Sequence, residues 1–294
     1  MDVFVTGGTG AIGSAIIRKL TGNKIRVIGL ARSDASADTL RTSGANAFPG
    51  DLRNPDSWVE RAASCTAVIH AGATFSDDMG KVDRQAMLAL KVAARHRKQP
   101  LKLIYTGGIW LYPPTADGAL ITEKTPFAPL PAFRFMTETI KTLSSGTDLN
   151  LTIVHPSLVC SLAAGPIYEM TKALKEGVPF KTRAIPETIW PLVDAEDLAE
   201  LYMLALKQRR FRLSLIASSI SGISVRHLAS HISARRGGSL EIETEAPPTE
   251  VTPDLDWSAG YALSQTVDIS QTQRIRGWTP ANPTVEDLVL KLSK

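Results

Sequence analysis

One eight-residue stretch constrains this chain more than any other. Thr6-Gly7-Gly8-Thr9-Gly10-Ala11-Ile12-Gly13 follows the apolar run Val3-Phe4-Val5, and Ile12, Ile16, Ile17 and Leu20 then recur at helical spacing. With a second strand-like run at 25–30, this reads as strand, glycine turn, helix and strand, a βαβ unit. In that context Gly7 permits a tight turn, Gly10 lets backbone approach a pyrophosphate, and Gly13 lets the helix lie against the strand. The helix start offers free N–H groups and a positive dipole end to a phosphate. Thr9, Ala11 and Ile12 fall at that start and join Gly7, Gly10 and Gly13 as candidate cofactor contacts.

Further apolar runs at 67–69, 101–106 and 151–154 alternate with helical patterns at 82–94 and 135–143. Alternation of this kind predicts a parallel sheet. Adjacent apolar residues such as Val27-Ile28 and Val68-Ile69 fit strands covered on both faces. After about residue 160 the pattern changes. Residues 165–191 carry helical periodicity between glycines and prolines, 197–206 reads as helix and 212–217 as strand. Val225, Leu228 and Ile232 mark another helix, 244–256 a loop, and Pro283-Thr284 the start of a last helix. The expected fold is α/β, a doubly wound parallel sheet with helices on both faces. Residues 1–160 form its dinucleotide-binding core, and 161–294 a small substrate-binding region interleaved with the last core strand and helices.

Composition excludes several other classes. The chain has 294 residues, 44% hydrophobic and 21% charged, which rules out wholesale disorder. Two cysteines, Cys65 and Cys160, build neither a disulfide framework nor a structural zinc site, and no His/Cys/Asp spacing suggests another metal. No apolar run approaches the roughly 20 residues of a membrane span, and the first residues lack a signal-peptide pattern, so a cytoplasmic setting is expected. The net charge is +4, but the basic residues are dispersed. The clusters Arg95-His96-Arg97-Lys98, Lys207 with Arg209-Arg210, and Arg235-Arg236 each follow an apolar-periodic segment, where cations complement a helix dipole. Nucleic acid and membrane are therefore not expected partners. A small-molecule substrate is, with the chain a monomer or homodimer.

The end of the second strand selects the dinucleotide. NAD sites usually place a carboxylate there for the ribose 2′-hydroxyl. Here Leu30-Ala31 leads into Arg32-Ser33, and a guanidinium with a hydroxyl suits a 2′-phosphate. This predicts NADP(H) in preference to NAD(H), with Asp34 as the dissenting residue.

These features together resemble the short-chain dehydrogenase/reductase superfamily, in its extended, epimerase/dehydratase-like branch. Residues 6–13 match its TGxxGxxG element. Gly50-Asp51-Leu52 resembles its adenine-contacting turn, and Val68-Ile69-His70-Ala71-Gly72-Ala73 its fourth-strand motif. His155-Pro156-Ser157-Leu158-Val159 stands where the family has a proline-containing strand exit near the nicotinamide. The stretch 191–199 resembles a later family element, and Gly277-Trp278-Thr279-Pro280 a C-terminal signature. The resemblance implies about seven parallel strands in a Rossmann sheet. It adds Asp51, Leu52, Ala71, Gly72, Ala73 and Pro156 to the cofactor contacts.

The resemblance breaks at the catalytic set. Relatives use a Ser or Thr after the fifth strand and a Tyr-x-x-x-Lys on the next helix. Only Tyr168-Glu169-Met170-Thr171-Lys172 has that spacing, and it lies after the sixth strand instead of before it. It reads as a substrate-pocket wall. In the proper segment, Arg134 takes the lysine position, Leu130 the tyrosine position and Gly108 the serine position. The candidates left for chemistry are Thr106, Tyr112 and Arg134, with Thr106 and Arg134 also placed to touch the cofactor. Arg134 cannot act as a base, and its ordinary alternative is a surface pair with Glu138. His155, ending an apolar strand, reads first as structure. Trp110, Tyr112, Tyr168 and Trp190 are expected apolar walls. The expected function is an NADP(H)-dependent oxidoreductase on a small, fairly apolar carbonyl or alcohol. The alternatives are a non-redox lyase, cyclase or isomerase using the cofactor as scaffold, and an NADP(H)-sensing regulator.

Overall fold

The computed structural model describes residues 1–116, 118–209 and 211–293, with 275 and 276 described for their backbone alone. Arg210, named above in a basic cluster, lies outside the described residues. The strands are β1 (Asp2–Thr6), β2 (Arg26–Ala31), β3 (Asn46–Pro49), β4 (Ala67–His70), β5 (Leu101–Thr106), β6 (Leu149–Pro156), β7 (Leu158–Cys160), β8 (Phe180–Thr182), β9 (Ile189–Asp194), β10 (Leu213–Ala217), β11 (Ile220–Ser224) and β12 (Ile242–Thr244). The helices are α1 (Ala11–Gly22), α2 (Asp34–Thr42), α3 (Val59–Ala63), α4 (Met79–Ala94), α5 (Arg134–Ser144), α6 (Pro166–Glu176), α7 (Ala195–Leu206), α8 (Val225–Arg236), α9 (Ser270–Arg276) and α10 (Val285–Leu292).

Seven strands form one sheet in the order β10-β6-β5-β4-β1-β2-β3. The pairs β1 to β2 and β1 to β4 are parallel, as are β4 to β5 and β5 to β6. This is the doubly wound Rossmann sheet. The apolar runs explain it: Val3, Phe4, Val5, Val68, Ile69, Leu103 and Ile104 are wholly buried, as strands covered on both faces require. The chain order reverses on either side of β1, so the carboxyl ends of β1 and β4 flank the switch point where such sheets bind ligands.

Contacts divide the chain into two units. The first is Met1–Gly107, Arg134–His155 and Ala199–Leu215, and the second is Gly108–Phe133, Pro156–Leu198 and Ile216–Lys294. Where the sequence suggests one boundary near 160, the chain instead leaves the first unit after β5 and returns at α5.

The second unit has a three-stranded sheet, β11-β9-β7, and a two-stranded one, β12-β8. Ile167, Met170, Trp190, Leu192, Leu228 and Leu288 belong to its core. The helical periodicity at 165–191 holds only for α6. That helix ends at Gly177, which takes a left-handed φ of 67°, and Ile189-Trp190-Pro191-Leu192-Val193 is strand. The register of β9 against β11 shifts between Ile220 and Ile223, beside Pro191, which has no N–H for the ladder.

Candidate functional site

The glycine loop is shaped by missing side chains. Gly7 has φ 70°, and a Cβ there would lie 2.5 Å from the Ala71 carbonyl oxygen and 2.6 Å from Gly72 Cα. A Cβ on Gly13 would lie 2.1 Å from the Gly7 oxygen. These two glycines seat α1 against β1 and β4. Gly10 differs: a Cβ there would meet only the Gly7 oxygen, at an ordinary 3.5 Å. Thr9 and Gly10 are exposed at the tip, and Ala11 and Ile12 are half-buried at the start of α1. Gly10 caps α1 without a side-chain hydrogen bond, and no acidic residue lies in its first turn. An N-terminus of this kind suits a pyrophosphate.

The other cofactor candidates of the first unit fall around that loop. A Cβ on Gly72 would stand 3.0 Å from Leu52 Cδ1 and 3.1 Å from the Gly7 nitrogen, so Leu52, Ala71, Gly72 and Gly7 meet. Ala73 is exposed just beyond. The Asp51 carboxylate accepts from the Arg53 N–H at 2.8 Å, and its carbonyl accepts from Trp58 Nε1 at 3.0 Å. Arg53 in turn grips Asp78, Nε to Oδ2 at 2.7 Å. The Arg53 guanidinium and the Ser76 hydroxyl hold the Asp78 carboxyl down at about 2. At the end of β2 the two expected phosphate contacts part. Ser33 caps α2, accepting from Ser36 N–H at 3.3 Å in a capping box. Arg32 is exposed, and among the described residues none makes a hydrogen bond or ion pair with its guanidinium.

The candidates for chemistry are less assembled. Thr106 ends β5 buried, its hydroxyl 2.6 Å from that of Tyr202 on α7. Burial pushes the Tyr202 phenol well above its ordinary range, against the opposing hydrogen bond from Thr106. Next to it, a Cβ on Gly107 would strike His155 Nδ1 at 2.5 Å, so the imidazole fills the space where a residue-107 side chain would begin. Tyr112 is fully buried, its ring 5.1 Å from that of Phe127 in an edge contact. Pro156 is buried at the end of β6, and Ser157 beyond it donates to Ser218 at 3.0 Å. Arg134 is exposed at the first position of α5. The Glu138 pairing considered for it falls instead to Arg84, at 3.7 Å.

The second unit carries a cavity of about 430 Å³, lined among others by Glu169, Lys172, Phe180, Arg183, Ser258 and Tyr261. Arg183 is not available to an anion: its Nη1 donates to Asp256 at 2.9 Å and to Ser258 at 3.3 Å. None of the four expected aromatic walls lines this cavity. Trp110 and Trp190 pack behind it, their rings 5.1 and 5.7 Å from that of Tyr261. A Cβ on Gly260 would lie 2.2 Å from the Trp110 ring, so that glycine is what admits the indole. Tyr168 is half-buried on α6, and Lys172 exposed. Tyr202, Tyr261 and the Arg183–Asp256 pair were not legible in the sequence. Each sits in a segment with no motif, and only the fold brings it to its partner.

The profile of the NAD dependent epimerase/dehydratase family matches residues 3–214. An uncharacterized protein of Schizosaccharomyces pombe is 26% identical over 295 residues, 97% of each chain. A 4-hydroxy-2-methyl-3-oxo-4-farnesyl-3,4-dihydroquinoline-1-oxide ketoreductase of Stigmatella aurantiaca is 26% identical over 173 residues, 54% of this chain and 50% of that enzyme. The fold is similar to that of UDP-glucuronic acid 4-epimerase from Bacillus cereus, solved with UDP-glucuronic acid and NAD. The TM-score is 0.82 at 16% identity, covering 100% of this chain and 98% of that one. The chain belongs to the NAD-dependent epimerase/dehydratase family.

Proposed function

We propose that this protein is an NADP(H)-dependent oxidoreductase acting on a small, uncharged and fairly apolar carbonyl or alcohol. The observation that carries the cofactor choice is Arg32, exposed directly after β2 where Ala31 offers no carboxylate. Its guanidinium is available for a 2′-phosphate, while Ser33 is committed to capping α2. Structural neighbours such as the B. cereus epimerase hold NAD. At 16% identity that likeness speaks for the fold, and the residue after β2 supports NADP(H).

The residues fit a dinucleotide. The free N–H groups of Ala11, Ile12 and Gly13 would hold the pyrophosphate, Leu52 and Ala71-Gly72-Ala73 the adenosine end, and Arg134 the nicotinamide ribose. The bound cofactor would supply a hydride. Thr106 and Tyr202 are bonded to each other in the core and Tyr112 is buried, so we assign the accompanying proton to water. The cavity of the second unit supports the substrate class: its lining holds Lys172, Lys181 and Arg183 together with Glu169, Glu176 and Glu245, and Arg183 is paired with Asp256. A diphosphate-bearing substrate would meet as many carboxylates as cations in that lining.

Titration of the protein with NADPH and NADH tests the reading. A charge-assisted contact to the 2′-phosphate is worth about 1.5–3 kcal/mol, so NADPH should bind roughly tenfold to a hundredfold tighter. Arg32→Ala should remove most of that difference. Equal affinities in the unaltered protein would refute the cofactor choice.

A further inference from the structure

Three side chains of the first unit converge on the buried carboxylate of Asp83, and a fourth, Thr6, joins through one of them. Asp83, on α4, accepts from the Tyr105 hydroxyl at 3.1 Å on Oδ1 and 3.0 Å on Oδ2. Thr139 of α5 donates to Oδ2 at 2.8 Å. His70 Nε2 stands 3.2 Å from Oδ1, and His70 Nδ1 stands 2.9 Å from the Thr6 hydroxyl. All five residues are at most 9% exposed. The imidazole also stacks on the Tyr105 ring, centroids 5.6 Å apart and planes 12° apart.

With Asp83 ionised and His70 neutral, donors and acceptors match throughout the network. A carboxylate is acceptor only. With Asp83 ionised, Tyr105, Thr139 and His70 Nε2–H each donate to it. His70 Nδ1 then carries a lone pair, and the Thr6 hydroxyl donates to that. No buried polar atom of the five is left without a partner, as a stable buried network requires. Burial and the Asp83 charge push the Tyr105 phenol well above its ordinary range, so it remains a donor.

The chain positions of these residues give the network a consequence. Thr6 is the last residue of β1, directly before Gly7. His70 is the last of β4, directly before Ala71 and Gly72, whose backbone touches Gly7. Tyr105 is the penultimate residue of β5, and Thr139 lies on the helix that opens with Arg134. The contact of Ala71 with Gly7 has no slack, since even a Cβ would overlap.

We propose that Asp83 is a positioning residue of the dinucleotide site: acting through His70, held as the Nε2–H tautomer, it fixes Thr6 and the β4 exit, and with them the glycine loop. The proposal rests on the reading of that loop as the cofactor site. Removing the carboxylate lets the imidazole turn over its protons. In Asp83→Asn, an amide nitrogen in the place of Oδ1 requires a lone pair at Nε2, which moves the proton to Nδ1 and reverses the bond to Thr6.

The test compares Asp83→Asn with Thr139→Val, which removes a donor to the same carboxylate without touching Thr6 or His70. Melting temperature, NADPH dissociation constant and the nitrogen-15 spectrum of the histidines are read for each. Both variants should melt lower. Asp83→Asn should weaken NADPH about tenfold, the order of one charge-assisted hydrogen bond, and shift the His70 resonances. Thr139→Val should leave affinity within about twofold. If affinity falls in both variants in step with stability, or in neither, the positioning role is overturned. Should Asp83→Asn fail to fold, the unaltered protein decides: the Nε2–H tautomer at His70 supports the proposal, and the Nδ1–H tautomer overturns it. An unaltered protein that binds no dinucleotide would instead refute the cofactor reading itself.

Discussion

The loop after β1 and the loop after β5 both leave the carboxyl end of a central strand, yet they are built on opposite principles. Around Gly7 and Gly13 the site is made of backbone, and its shape follows from side chains that are missing. After β5 the candidates are side chains, and each is committed elsewhere: Thr106 to Tyr202, Tyr112 to the aromatic core beside Phe127, and the space over Gly107 to His155. A binding loop defined by what must be absent tolerates little change. A catalytic set defined by where side chains point is lost or replaced without altering the fold.

The largest effect expected from this contrast is at Gly13. Gly13→Ala would press a Cβ into the Gly7 carbonyl, costing about 1–3 kcal/mol of stability. Displacing the loop by an ångström should weaken NADPH about a hundredfold. Gly10→Ala, whose Cβ would make only an ordinary 3.5 Å contact with the Gly7 oxygen, should melt close to the unaltered protein and lose only affinity. Equal loss of stability in the two variants would break the distinction between a packing glycine and a contact glycine.

Next in size is the Thr106–Tyr202 pair. Thr106→Val leaves a buried phenol without its partner, which costs about 1–3 kcal/mol, while NADPH affinity should hold within about twofold. Burial of Tyr202 and of Cys160 also sets a pH dependence. Burial raises Tyr202 above the ordinary phenol value of 10.0 and Cys160 from 9.0 to about 12. Groups raised in this sense stabilise the fold fully below their unfolded values, and that stability is lost as pH climbs from there towards the folded values. Urea midpoints should therefore fall steadily above about pH 9, and less steeply in Tyr202→Phe. A midpoint flat to pH 11 would contradict the burial of these groups.

Smaller effects are expected where side chains are exposed. Arg134→Lys keeps the charge but loses the fork, and Arg134→Ala loses both. NADPH should weaken about threefold and about tenfold respectively, with no ionisation from residue 134 in any pH profile. Unchanged affinity in Arg134→Ala would leave it a solvated cation. Tyr168→Phe should change KM more than kcat, because Tyr168 lies on α6 and not on α5. A loss in kcat beyond about a hundredfold, the scale of general acid/base catalysis, would restore Tyr168 and Lys172 as a couple.

The same contrast explains what was legible in the sequence. Six of the seven strands of the large sheet are readable because burial forces runs such as Val3-Phe4-Val5 and Val68-Ile69; β3, half-exposed at the sheet edge with the sequence Asn46-Ala47-Phe48-Pro49, carries no such run. The glycine loop was readable because φ and close approach select glycine at Gly7 and Gly13. The strand at Ile189–Asp194 was not, since Trp190-Pro191 interrupts any alternation and its pairing depends on a register shift. Ser33 caps α2 where the sequence suggests a phosphate contact, because a serine before an amphipathic helix serves equally as its cap. Asp83 was invisible because one carboxylate in an amphipathic helix looks like an exposed charge until β4, β5 and α5 close around it.

The central claim, that a retained cofactor cradle still carries out redox chemistry with a replaced catalytic set, is tested most directly by isotope transfer. The protein is incubated with NADPH carrying deuterium at C4 and a panel of small uncharged ketones and aldehydes, and the products are analysed by mass spectrometry. Deuterium on the carbinol carbon of a product alcohol, with stoichiometric NADP formation, is the expected result. A product formed without deuterium and with the cofactor unchanged would contradict it and make the dinucleotide a scaffold for non-redox chemistry.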